Sequence, residues 1–136
     1  MFGVEDISNE VRKRGSVISA PESLLVIWTK PQGDGTPYVE INDGECFYIS
    51  TERGYNIFRR KASDLDEILY LIFSRITRIM ASEHELKNRV PHQDCRRVLF
   101  KKRLELIGIL SDSWRIKAQQ EIDETLAANP FYDEGS

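Results

Sequence analysis

Residues 63–89 read SDLDEILYLIFSRITRIMASEHELKNR, with apolar residues at Leu65, Ile68, Leu69, Ile72, Phe73, Ile76, Ile79, Met80 and Leu86 among others. Spacing by threes and fours lines one broad stripe of an α-helix. At 1.5 Å per residue the helix would run about 35–40 Å, the diameter of a small domain. Ser63 with Asp66, or Asp64 with Glu67, supplies its N-terminal cap, and the carboxylates of this first turn sit at the positive end of the helix dipole. Tyr70, Thr77 and His84 recur along one flank and are expected at its amphipathic margin. The rest of the chain has to be arranged around this helix.

Upstream, Val4, Ile7 and Val11 recur at helical spacing and predict a short first helix over residues 4–14, with Gly15 as its C-terminal cap. Residues 24–29, LLVIWT, are β-branched and aromatic enough for a strand. Pro31, Gly33, Gly35 and Pro37 mark a surface loop. Residues 38–41 and 46–51 form a hairpin about Asp43-Gly44, a dipeptide that tolerates positive φ. Arg53-Gly54 makes a second turn into a strand over 55–58, ahead of the basic Arg59, Arg60 and Lys61. The apolar face of this meander of three to four antiparallel strands needs cover, and the stripe of the central helix is the nearest large one.

Downstream, Asp94 can cap a helix that runs to about Leu110, through the N–H of Arg97, with Leu99, Phe100, Leu104, Leu106, Ile107 and Leu110 buried. Ser111, Asp112 and Ser113 restart the chain into a last helix carrying Trp114, Ala118, Ile122, Thr125 and Leu126, which ends near Asn129-Pro130. In the tail PFYDEGS, Phe131 is expected to tuck back and the remainder to be free. The fold class is α+β, and the chain is expected to be a single domain over residues 1–136.

The chain has 136 residues, 40% of them hydrophobic and 30% charged, which suits one globular core. A net charge of −3 suits a basic protein partner better than nucleic acid. The longest apolar run, LLVIW, is too short to cross a bilayer, and charges interrupt the N-terminus where a signal peptide needs its apolar core. A cytoplasmic protein with no membrane partner is expected. Cys46 and Cys95 define no disulfide framework and are expected to be reduced.

Chemistry is sparse. His92, Asp94 and Cys95 stand together in HQDC, but the other His and Cys, His84 and Cys46, come singly and far away, so no metal site is read from them. QGDGT precedes Pro37 and a strand, without the helix a phosphate cradle needs. Glu52 and Arg53 at a strand end are either solvated or engaged with Asp94, Arg96 or Arg97. No catalytic, cofactor-binding or metal-binding residue is assigned. Asp34, Glu40, Glu45, Asp66 and Glu67 are the carboxylates expected to meet a basic partner. Two other classes stay open: a small enzyme using Glu52, or Asp94 with His92, and an adaptor that dimerises through the central helix.

The succession ERG at 52–54, DLDEILYLIF at 64–73, MASEHELKNR at 80–89, QDCRRVLFKKRLELIGIL at 93–110 and NPFYD at 129–133 resembles the bacterial Immunity protein 63 family, over roughly residues 36–133. The resemblance implies a protein made beside a polymorphic toxin, which it binds and neutralises in the producing cell. It implies a stoichiometric inhibitor and not an enzyme, and a monomer or weak dimer is expected.

Overall fold

The structure is a computed structural model that describes residues 1–134. Its elements follow the order α1 (Val4–Val17), a 3₁₀ turn (Glu22–Leu24), β1 (Tyr38–Asn42), β2 (Glu45–Glu52), β3 (Tyr55–Ala62), α2 (Leu65–Lys87), α3 (Cys95–Leu110) and α4 (Asp112–Ala128). Among the described residues, four α-helices and one three-stranded antiparallel sheet make an α+β fold. The chain divides into two compact units, Met1–Phe73 and the part that begins at Ser74.

In the first unit, α1 buries Ile7, Val11 and Gly15, a file at four-residue spacing. The expectation that Gly15 caps this helix is corrected: α1 continues to Val17 and closes in a Schellman arrangement, with Ser19 at φ 55° and Ala20 N donating to Gly15 O at 2.9 Å. Gly15 is needed for close approach instead. A Cβ there would lie 2.5 Å from Leu25 Cδ2. The same contact explains a second correction, because residues 24–29 form no strand. Leu25 turns onto α1 after the 3₁₀ turn, and the segment's one backbone bond to the sheet is Val39 N to Trp28 O, 2.8 Å.

Three strands form the meander, in the order β1-β2-β3. Both hairpins turn on two residues with positive φ, Asp43 (51°) and Gly44 (77°), then Arg53 (51°) and Gly54 (82°), the twist that suits tight antiparallel hairpins. β3 runs four residues beyond the expected strand, because Arg59, Arg60, Lys61 and Ala62 continue the pairing with Ile49, Tyr48, Phe47 and Cys46. A register shift at Ser50/Thr51 leaves Ile57 as the extra residue of a bulge. Val39, Cys46, Tyr48 and Ala62 share one buried face and join Ile68, Leu69, Ile72 and Phe73 of α2 and Ile7 and Val11 of α1 in the core of this unit.

The start of α2 uses the second of the two expected caps. Asp64 Oδ1 accepts from Glu67 N at 2.8 Å, while Glu67 Oε2 reaches back to the Ser63 amide and hydroxyl. Along α2 the stripe is buried from Ile68 to Ile76, but two expectations fail at its flank and its end. Tyr70 and Thr77 are buried core residues and not a margin, whereas Leu86 is 63% exposed and Glu85 takes the inward position.

In the second unit the core is Ile76, Thr77, Ala81, Leu106, Ile107, Trp114, Ala118 and Ile122. Asp94 caps α3 as expected, though through the Arg96 amide (3.0 Å) and not through that of Arg97. Ser111 is the single residue between α3 and α4, and its hydroxyl caps α4 at Trp114 N. Leu99, Phe100, Leu104 and Leu110 are only half-buried, and Arg103 lies among the buried residues of α3. Its Nη2 donates to Ser74 Oγ at 2.7 Å and to Glu121 Oε2 at 3.4 Å, while Nε is buried without a partner.

Ile72 is 2% exposed at the centre of the stripe. Ile72→Asp is expected to cost roughly 3–5 kcal/mol, the penalty of an uncompensated buried charge, and to abolish the cooperative urea transition followed by circular dichroism. A folded variant with an unchanged midpoint would show that the stripe is not core.

Candidate functional site

Polar side chains concentrate where the C-terminal tail meets the N-terminus of α3. Arg96 forks onto the Asp94 carboxylate (Nη2 to Oδ2, 2.9 Å) and also donates to the carbonyls of Asn129 and Pro130. Asp94 Oδ2 accepts from Tyr132 N, and Asp133 Oδ1 in turn accepts from Asp94 N, both at 2.9 Å or less. Arg97 holds Asp133 through Nε and Nη2, the latter at 3.0 Å. Phe131 sits beneath both guanidinium groups, 4.2 Å from Arg97 Cζ and 5.5 Å from Arg96 Cζ, with the Phe100 ring 6.1 Å away. The tail is therefore clasped. Phe131 tucks in as expected, but Tyr132 and Asp133 are bound too, contrary to a free remainder; Gly135 and Ser136 lie outside the described residues.

A cavity of about 420 Å³ opens beside this clasp, lined by Arg89, Pro91, His92, Cys95 and Tyr132 as well as Asp94. The Asp94 carboxylate is occupied by Arg96 and two backbone amides and serves as cap and as clasp. Among the described residues no group of three or more His, Cys, Asp or Glu could hold a metal ion. A second cavity, about 660 Å³, lies in the first unit between Ser8, Arg12 and Ser16 of α1 and Leu25, Val26 and Ile27.

The five carboxylates expected to face a partner are placed differently from one another. Glu40 and Glu45 share one face of the sheet with Phe47, Arg59 and Lys61. Each is already matched, Glu40 with Arg59 at 3.4 Å and Glu45 with Lys61 at 3.5 Å, and Arg59 lies 4.1 Å above the Phe47 ring. Asp34 is exposed; its carboxylate accepts from Thr36 N, and its backbone bridges Glu52 next to the second hairpin turn. Glu67 serves the start of α2, and Asp66 is exposed beside it. Glu52 and Arg53 lie exposed at the β2–β3 turn.

Sequence reasoning missed the partners of Arg96 and Arg97, because thirty-odd residues separate them from the tail. Two other buried groups left a trace. Glu85 follows Ala81 by four on the apolar stripe and precedes Arg89 by four, and that arginine does pair with it at 3.0 Å. Arg103 similarly stands three residues before Leu106 on the inward side of α3.

The model of the Immunity protein 63 family matches residues 42–124, more than half of the chain. The chain belongs to the Immunity protein 63 family. Membership implies a role in toxin immunity and a protein partner. The match covers β2, β3, α2, α3 and most of α4, whereas α1 and the clasped tail fall outside it. No curated protein matches the chain, and no solved structure matches it.

Two measurements test this geometry. Cys46 is 1% exposed and burial pushes its thiol pKa up to about 11, whereas Cys95 is exposed and both are free. A maleimide reagent at pH 7 is expected to label Cys95 in the native protein and Cys46 only after denaturation; rapid labelling of both would contradict the burial. The clasp should also respond to acid. Arg96 holds the Asp94 carboxyl far below the usual carboxylate range, helped by the Tyr132 and Arg96 amides, and Arg97 with the Asp94 amide lowers Asp133. Both groups titrate lower in the folded chain than in the unfolded one, so their contribution is complete at neutral pH, begins to decline as pH falls below about 4, and is fully lost only once the pH has passed below the depressed values of the folded chain. Asp94→Asn keeps a good cap residue and gives up the charge. Its Tm should fall relative to wild type at pH 7, and the deficit should be smaller at pH 3, shrinking further as the pH is lowered; an equal deficit at pH 7 and pH 3 would assign the loss to something other than ionisation.

Proposed function

We propose that this protein binds a cognate bacterial polymorphic toxin one to one and neutralises it in the cytoplasm of the cell that makes both. The observation that carries the reading is the family match over residues 42–124. Because that match runs across the boundary at Phe73 and Ser74, the two compact units are taken to work as a single immunity domain. Among the described residues no helix is long and apolar enough to cross a membrane. Inhibition of this kind needs an interface of about 1,600 Å², which covers or distorts the toxin's site, and no chemistry by the inhibitor.

The surface carboxylates are the contact points this reading uses for a basic partner. Asp34 and Asp66 are exposed. Glu40 and Glu45 reach a partner only by exchanging Arg59 and Lys61 for its cations, which limits what they add. Glu67, engaged with Ser63, is the least available of the five. The chain is taken to act as a monomer or weak dimer.

Co-expression with the toxin encoded immediately upstream tests the proposal. The expected outcome is restored growth and a 1:1 complex on size-exclusion chromatography. Neither rescue nor complex would remove it.

A further inference from the structure

β3 is an outer strand of the sheet. At the opposite edge Val39 of β1 is engaged by Trp28, but every residue of β3 apart from Phe58 and Ala62 is exposed, Tyr55 at 79% and Ile57 at 56%. An outer strand presents a row of N–H and C=O groups with no neighbouring strand, and it will accept one unless something forbids it. Two features of β3 decide what it can accept. The bulge at Ile57 interrupts the regular ladder, so the straight part is residues 58–62, paired with 46–50 on its inner side. That part carries Arg59, Arg60 and Lys61, and β3 holds no acidic residue.

The three cations are not equivalent. Arg59 and Lys61 point to the face where Glu40 and Glu45 answer them. Arg60 points to the other face, is exposed, and makes no hydrogen bond or ion pair among the described residues. A second copy of the chain pairing antiparallel about Arg60 would set Arg60 against its own copy and Arg59 against Lys61, which like charge disfavours. An acidic strand meets the reverse condition.

We infer that residues 58–62 of β3 take up an extended acidic segment of the toxin as a fourth strand, while Tyr55 and Ile57 are covered by apolar side chains of the same partner. The inference rests on the inhibitor reading above and names the segment that such a partner offers. Main-chain hydrogen bonds give the attachment, and the charges facing Arg60 set its direction and selectivity. A basic strand on the same edge meets repulsion from Arg60, and an uncharged one gains nothing from it.

The test is calorimetric titration of the upstream-encoded toxin domain into the full chain and into Arg60→Glu, Tyr55→Ala and, as a control on α4, Glu124→Lys, each checked for folding by circular dichroism. Arg60→Glu is expected to weaken binding at least tenfold, Tyr55→Ala severalfold and Glu124→Lys not at all. Amides of residues 58–62 should gain hydrogen-exchange protection in the complex. If the wild-type chain forms no complex, the inhibitor reading itself fails. A complex of full affinity with Arg60→Glu, with those amides unprotected, overturns the edge inference alone. A concentration-dependent dimer of the isolated chain that protects the same amides assigns the edge to a second copy and also overturns it.

Discussion

Burial of the α2 stripe is the constraint on which the other elements depend. Ile68, Leu69, Ile72 and Phe73 belong to the core of the first unit, and Ile76, Thr77 and Ala81 to that of the second. Each large apolar side chain so buried contributes about 1.5–3 kcal/mol. Polar residues on the inward side of α2 then need partners from elsewhere, since an unsatisfied buried group is costly. Ser74 meets Arg103 from α3, and Glu85 meets Arg89 one turn on.

Part of the charge on this protein is matched locally. The sheet pairs Glu40 with Arg59 and Glu45 with Lys61, and the start of α3 pairs Asp94 with Arg96 and Arg97 with Asp133. A net charge of −3 therefore describes the whole chain better than any one face of it. What distinguishes one face from another is the charge that such pairs leave over, and on the sheet that includes a cation, Arg60, on an open edge. Specificity toward a partner is carried by such local differences more than by overall charge.

The elements that sequence reasoning located well are those whose signals are local. Helical spacing along α2, the Asp43-Gly44 and Arg53-Gly54 turns, the cap at Asp94 and the restart of the chain at Ser111 all act within a few residues, and each is present. The misses are non-local. Residues 24–29 have the composition of a strand, but a strand needs a partner edge, and Leu25 packs on Gly15 instead. Gly15 itself looks like a cap because glycine is common at helix ends; its purpose, room for a neighbour, is visible only once the neighbour is in place. Tyr70 and Thr77 repeat the same lesson on α2, where one flank proved as buried as the stripe.

By itself the sequence determined the fold class, three of the four helices to within two residues, the hairpins, and membership in an immunity family, because periodicity, turn chemistry and the succession of segments are properties of neighbouring residues. Only the tertiary structure decided that the tail is clasped to α3 through Asp133 and Phe131, that Arg103 and Glu85 are buried, and that Arg60 stands on an open edge. Those depend on contacts between residues tens of positions apart and on which surfaces remain uncovered, and no local pattern specifies either.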